Sequence, residues 1–259
     1  EEKALENYNQ IKKFLQGTEY ENAPIIPASA QHKINIDAII EAIEKYIPTP
    51  KRDEKSSPLM FVARAFDINK PGVEIRDMKG GVLGGALQRG VLKKGDKIEI
   101  RPGRIYEEAN KRVWKSLKTS ILSIMTGGRE VQEARPGGSM AILTSLDPSI
   151  VKADRLLGNV VGYEGKLPPV WDTLKLEVTL LERVVGTKED LIVEPIKMTE
   201  ILMLNVYSAA TVGVVVKISK NIIECKLKLP VCADKGARVT ISRRMGTRFR
   251  LIGYGIILE

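Results

Sequence analysis

Histidine is almost absent: His32 is the only one among 259 residues. Any His-based triad, His-ligated zinc site or histidine general base would have to use that one side chain, which sits in a loop ahead of a predicted helix. Cysteine is nearly as scarce. Cys225 and Cys232 are too few for a disulfide framework, and no Cys or His pair lies nearby to complete a structural zinc site. They read as small strand residues of a reducing compartment. Long apolar runs are missing as well. Residues 201–204 and 212–216 are among the longest, far short of the ~20 residues a membrane helix needs, and no apolar signal segment opens the sequence. The expectation is a soluble intracellular protein with no membrane partner. Four Phe, two Trp and seven Tyr leave few aromatics for stacking on bases. No H-E-x-x-H, G-x-S-x-G, C-x-x-C or complete G-x-x-x-x-G-K-[ST] occurs, so common hydrolase, metal and phosphate-loop signatures are absent.

Positive charge is in surplus. There are 41 Lys and Arg against 32 Asp and Glu, a formal charge of +9, which attracts a polyanionic partner at long range without naming it. Ribosomal RNA, transfer RNA and an acidic protein surface all satisfy that condition.

The chain has three segments with different periodicities. In "EEKALENYNQIKKFLQG", Leu5, Tyr8, Ile11 and Leu15 recur at helical spacing, with Phe14 beside them, and Gly17 suits the helix end. The apolar stretch "APIIPASA" predicts a short strand. "NIDAIIEAIEKYI" predicts a second helix, with Ile36, Ile39, Ile40, Ile43 and Ile47 as its buried stripe, Asn35 as its cap and Pro48 as its stop. Helix, strand and helix are the grammar of a layered α/β domain, which fifty residues cannot complete. The expectation is therefore that 1–50 is the end of a larger nucleotide-binding domain.

Linker composition follows in "YIPTPKRDEKSSP". Beyond it the pattern is β: "MFVARAFDI", "IEI", "SILSIM", "GSMAILT" and "NVVGY" are short apolar runs separated by glycine or charged turns. "GRIYEEANKRVWKSLKTSILSIM" admits a turn of helix, but a long hairpin fits its β surroundings better. In "VLKKGDKIEIRPG", Gly95-Asp96 predicts a hairpin turn, after which Ile98 and Ile100 face inward and Lys97, Glu99 and Arg101 face solvent. "LPP" at 167–169 separates a second β unit, in which Leu174, Leu176, Val178 and Leu180 share one face. Many short strands with no covering helix predict closed barrels, which hide their edges.

Two loops were candidates for ligand contact. "KGGVLGG" has the glycines of a phosphate cradle, but Val82 and Leu83 interrupt them, and close backbone packing in a small barrel accounts for them equally well. "PASAQHK" places Ser29 and Ala30 after an apolar run, where small residues let a planar base approach backbone N–H groups; an ordinary helix-approach loop is the alternative.

Four segments, "VARAFDINKPG", "MKGGVLGGALQRGVLKKGDKIEIRPG", "ARPGGSMAILTSLDPSIVKADRLLGNVVG" and "PVCADKGARVTISRRMGTRFRLIGYG", together resemble the carboxyl-terminal barrels of the gamma-subunit family of archaeal and eukaryotic translation initiation factor 2. The resemblance implies a mostly β fold: two small elongation-factor-like β-barrels, at 51–170 and 171–259, preceded by an α/β remnant of a P-loop GTPase domain at 1–50. It implies that Ser29, Ala30 and Gln31 match the loop touching the guanine base. It implies GTP or GDP with Mg in the intact protein, a GTPase whose phosphate loop, switches and Asn-Lys-x-Asp motif have no counterpart here, so that this chain alone should neither bind nucleotide tightly nor hydrolyse it. The implied partners are methionylated initiator tRNA, the alpha and beta subunits of the same factor, and the small ribosomal subunit, in the cytoplasm. Arg64 and Phe66 are the implied contacts for the aminoacyl end of the tRNA, with Phe66 alternatively a core residue. "NVYSAATVG" departs from the family in carrying Tyr207 where a glycine is expected. A selenocysteine-specific or other elongation-factor-type GTPase shares the architecture, and a non-enzymatic RNA or protein interaction module is the reading from a different class.

"RVTISRRMGTRFRLIGYG" concentrates five arginines within thirteen residues of a predicted hairpin. Burying them unpaired would be costly, so they are displayed or paired. Met245 to Thr247 forms the expected turn, which crowds Arg243, Arg244, Arg248 and Arg250 at one hairpin end. Two explanations stay open: pairing that locks the second barrel against its neighbours, and contact with tRNA or ribosome through Arg244 and Arg248.

Overall fold

A computed structural model describes residues 2–108, 111–185 and 191–258. The chain divides into two units, Glu1–Lys51 and Arg52–Glu259. In the first, helix α1 (Glu2–Leu15) ends as the sequence predicts, with Gly17 at φ 74° and the Thr18 N–H bonded to the Leu15 carbonyl at 3.1 Å. Helix α2 (Ile36–Tyr46) departs from expectation in two ways. Asn35 does not cap it: its backbone is left-handed at φ 56°, and its Nδ2 donates instead to the Pro27 carbonyl at 2.7 Å. The isoleucine stripe is not buried either. Ile40, Ile43 and Ile47 are exposed at 57%, 48% and 68%, because two helices and an extended segment supply no second layer to cover them. Nor does "APIIPASA" form a sheet strand; only an isolated bridge joins Ser29 to Ile34. A strand is defined by a hydrogen-bonded neighbour, and this unit offers it none. Against α1, residues 25–28 form an open apolar groove of about 890 Å³ lined by Leu5, Tyr8 and Ile11.

The second unit is β throughout. Strands β1 (Leu59–Phe66), β2 (Val82–Arg89), β3 (Leu92–Lys93), β4 (Lys97–Glu108), β5 (Lys111–Thr126), β6 (Arg129–Val131), β7 (Glu133–Ala134), β8 (Ser139–Thr144) and β9 (Val160–Tyr163) make the first assembly, with a short helix α3 (Pro148–Val151) before β9. The order β4-β9-β1-β2-β8-β5 closes through β4–β5 pairing into a six-stranded barrel; β6 extends β5, and β3 pairs with β7. Strands β10 (Val170–Leu180), β11 (Ile201–Val206), β12 (Ala209–Ser219), β13 (Ile222–Cys232), β14 (Arg238–Met245) and β15 (Arg248–Ile257) close a second barrel in the order β10-β13-β12-β11-β14-β15. Alternation explains both cores. Met60, Val62, Ile98 and Ile100 fill the first, and Leu174, Leu176, Leu202, Leu204 and Ile241 fill the second. Cys225 and Cys232 are buried, and that burial pushes both thiols up to about 12. No helix among the described residues is long and apolar enough to cross a membrane.

The segment with helix-like composition is a hairpin: Arg104, Ile105 and Tyr106 of β4 lie opposite Lys115, Trp114 and Val113 of β5. Its tip, 109–110, lies outside the described residues. Gly95 turns the chain at φ 92°, but it does not make the predicted hairpin, since β3 pairs with β7 rather than with β4.

Glu99 is the clearest correction. Alternation places it outward, yet it is only 3% exposed. The connector between the barrels runs across the outer face of β4: the Gly165 N–H donates to Glu99 Oε2 at 3.0 Å, Arg101 Nε donates to Oε1 at 2.8 Å, and Arg101 Nη1 reaches the Pro168 carbonyl at 3.5 Å. Burial alone would raise the Glu99 pKa, but hydrogen bonds from Arg101, Gly165 and Ser116 outweigh it and hold the carboxyl below its ordinary 4.5. Glu99→Gln is expected to lower unfolding free energy by about 2 kcal/mol, less than for a fully enclosed pair because Arg101 keeps some solvent. Urea denaturation measures this. Because the folded carboxyl titrates below 4.5, the stability it contributes is complete above that value and is lost as pH falls through the lower folded one, a slope that Glu99→Gln should reduce.

Candidate nucleic-acid interface

Strand β1 pairs on both sides, with β9 and β2, so its outward side chains form a fixed row on the first barrel. A register irregularity between Val62 and Arg64 shifts the alternation: Val62 and Ala65 are buried, and Arg64 and Phe66 both face out. Phe66, 38% exposed, is therefore not a core residue. Its ring lies across Gly84 of β2, where an added Cβ would meet it at 3.8 Å and the Arg64 Cβ at 3.7 Å. The Arg64 side chain is 70% exposed and donates from Nε to Asp154 Oδ1 at 3.1 Å. The same oxygen accepts the Ala65 N–H at 2.8 Å. That backbone bond, with Arg64 adding to it, holds the Asp154 carboxyl below the usual range, so the pair stays charged. Only Nε of Arg64 is engaged among the described residues, and the two remaining Nη groups stand ready for a bidentate anion beside an apolar ring. Asp154 is a residue the sequence reading missed. It lies ninety residues along the chain from Arg64, at a left-handed φ of 56°, and nothing in the local pattern announces the pairing.

The glycines of "KGGVLGG" do not cradle an anion. A Cβ on Gly80 would lie 1.9 Å from the Thr144 carbonyl oxygen, and one on Gly85 would lie 1.8 Å from that of Phe61. These glycines exist because backbone strands meet there. Gly85→Ala is expected to cost about 3 kcal/mol of stability through forced strand separation, readable as a lowered urea midpoint with unchanged slope.

In the first unit, Ser29 is half-buried while Ala30 and Gln31 are exposed. Ser29 and Ile34 exchange backbone bonds at 3.2 and 3.0 Å, and Lys33 turns the loop at φ 54°. The Ala30 and Gln31 N–H groups donate to nothing among the described residues. The loop thus fits a planar acceptor such as a base edge. Among the described residues no group of three or more His, Cys, Asp or Glu could hold a metal ion.

The arginine hairpin separates into two faces. Pairing puts Arg243 opposite Arg250 and Met245 opposite Arg248, on the side continuous with buried Ile241, whereas Arg244 and Phe249 point outward. The turn falls at Gly246 and Thr247, as predicted, with Gly246 at φ 61°. Arg243 is fully committed: Nε and Nη2 grip the Glu200 carboxylate, Nη1 donates to the Glu194 carbonyl at 2.9 Å and Nη2 to that of Pro195 at 3.1 Å. Glu200 belongs to the same barrel, so Arg243 closes that barrel's end rather than locking it to a neighbour. Arg244 spends Nε on the Gly246 carbonyl at 3.2 Å. Arg248 has no side-chain partner among the described residues and is exposed. Arg244 and Arg248, expected as one patch, do not share a face.

Residues 172–257 match the family described as "Initiation factor eIF2 gamma, C terminal". Over 258 residues, all of this chain, the sequence is 58% identical to translation initiation factor 2 subunit gamma of Pyrococcus horikoshii. The chain is homologous to the gamma subunits of translation initiation factor 2. Against the gamma subunit of Methanocaldococcus jannaschii, identity is 55% over 257 residues, 99% of the chain. The chain spans 63% and 62% of the lengths of these two gamma subunits. Among solved structures it resembles translation elongation factor SelB from Methanococcus maripaludis bound to the GTP analogue GppNHp, with a TM-score of 0.71 and 21% identity, covering 100% of this chain and 56% of that one. A bacterial selenocysteine-specific elongation factor gives a TM-score of 0.73 at 21% identity, covering 99% and 37%. At those identities the likeness is one of fold: barrels of the elongation-factor type.

Proposed function

We propose that this chain is the barrel portion, 51–170 and 171–259, of a translation initiation factor 2 gamma subunit, with 1–50 closing its GTPase domain. The intact protein carries methionylated initiator tRNA to the small ribosomal subunit in a GTP-dependent cycle. The observation that carries this reading is the 58% identity to gamma subunits along the whole chain, far above the 21% identity to the selenocysteine factors of similar fold. In this reading GTP or GDP with Mg belongs to the intact subunit, where the exposed N–H groups of Ala30 and Gln31, beside Ser29, approach the guanine base. The bound nucleotide supplies the γ-phosphate that orders the intact subunit's switch segments. This chain by itself binds no nucleotide tightly and hydrolyses none.

The barrels supply recognition. The free Nη groups of Arg64 face a backbone phosphate near the aminoacyl end, with Phe66 offering an apolar surface beside it. Arg244 and Arg248, on different faces of one hairpin, contact separate phosphates or divide between tRNA and ribosome. The alpha subunit docks on the first barrel and the beta subunit on the GTPase domain. Such phosphate contacts give salt-sensitive, largely sequence-independent attachment. Binding of labelled methionylated initiator tRNA, followed by fluorescence anisotropy across a salt series, tests the reading. Arg64→Glu is expected to weaken binding roughly tenfold and to lower the salt slope by about one, with the circular dichroism spectrum unchanged. Equal affinity for initiator tRNA, elongator tRNA and unrelated RNA would reduce the chain to a generic interaction module.

A further inference from the structure

Tyr207 occupies the two-residue turn between β11 and β12 with φ 53°, a left-handed conformation that favours glycine, the residue the family resemblance leads one to expect there. A large side chain held at such a position calls for an explanation in what it touches. Its ring stacks on Phe61 of the first barrel, centroids 4.2 Å apart and planes 17° from parallel. Its hydroxyl donates to Asp234 Oδ2 at 3.1 Å and accepts the Asp234 N–H at 3.3 Å. The same carboxylate takes two bonds from Arg89 of the first barrel, at 2.8 and 3.1 Å. Two residues from each barrel thus close a ring around the edge of a small buried seam formed by Leu59, Val160, Leu167 and Cys232.

We propose that Tyr207 is a positioning residue that clamps strand β1 to the second barrel, holding the two barrels in one relative orientation. The geometry favours this over a purely local role in the turn. The phenol bridges a stacking partner on one barrel and a carboxylate on its own, and that carboxylate is itself gripped from the first barrel by a planar guanidinium. Burial in the seam pushes the Tyr207 hydroxyl up to about 12, so it remains a donor at any working pH. Phe61 lies on the same strand as Arg64 and Phe66, so the clamp also fixes where that outward row stands relative to the second barrel.

The test uses distances between the barrels and does not depend on RNA. Spin labels on Met125→Cys and Lys217→Cys, both exposed positions, report one barrel each, and buried Cys225 and Cys232 stay unlabelled. The otherwise unaltered chain should give one narrow distance peak by double electron–electron resonance. Tyr207→Gly, which suits the backbone conformation while deleting the ring, should broaden that peak at least twofold. Tyr207→Phe, which keeps the stack and loses the Asp234 bond, should fall between them. If Tyr207→Gly fails to fold, Tyr207→Phe decides: a broadened peak supports the clamp. A Tyr207→Gly peak as narrow as that of the unaltered chain overturns it, as does a Tyr207→Phe peak of unaltered width if the glycine variant cannot be measured.

Discussion

The constraint on which the β portion rests is closure: an open strand edge leaves a row of N–H and C=O groups without partners. Six strands pair in a ring twice over, and every placement of interest follows. Closure brings β1 between β9 and β2, which turns Arg64 and Phe66 outward on a strand that cannot slide without breaking two ladders. It also demands glycine where backbones meet too closely for a Cβ, at Gly80 and Gly85. A glycine cluster that resembles a phosphate loop in one dimension is thus a packing device in three.

Charge is distributed by the same geometry. An arginine on a barrel strand either finds a carboxylate at the barrel's end, as Arg243 finds Glu200, or extends into solvent, as Arg248 does. The distinction matters for function because a committed guanidinium has few donors left for phosphate, whereas Arg64 keeps most of its fork free. Exposed pairs such as Arg64–Asp154 contribute at most about 1 kcal/mol to folding, so their value lies in orientation. Asp154 holds the arginine stem along β1 and leaves its outer edge available.

The two units differ in how fully they satisfy their own apolar surface. The barrels bury nearly all inward-facing aliphatics, whereas α1 and α2 leave Phe14, Ile40 and Ile47 in solvent. An amphipathic helix is stabilised chiefly by what covers its apolar face, so the periodicity of 36–47 correctly marks a helix and overstates its burial. The same reasoning explains "APIIPASA", whose composition suits a strand but whose unit provides no neighbouring strand.

Local pattern alone determined the β character after residue 58, the alternation that fills both cores, the helix end at Gly17 and the hairpin turn at Gly246 and Thr247, because each depends on residues a few positions apart. The family resemblance was likewise legible, carried by long contiguous segments, and the 58% identity bears it out. Tertiary structure decided the rest. Asp154 reaches Arg64 across ninety residues, Gly165 covers Glu99 across sixty-six, and Asp234 meets Arg89 across 145. Such pairs exist only once closure has brought distant strands together, and a linear sequence carries no record of which side chains that closure will make neighbours.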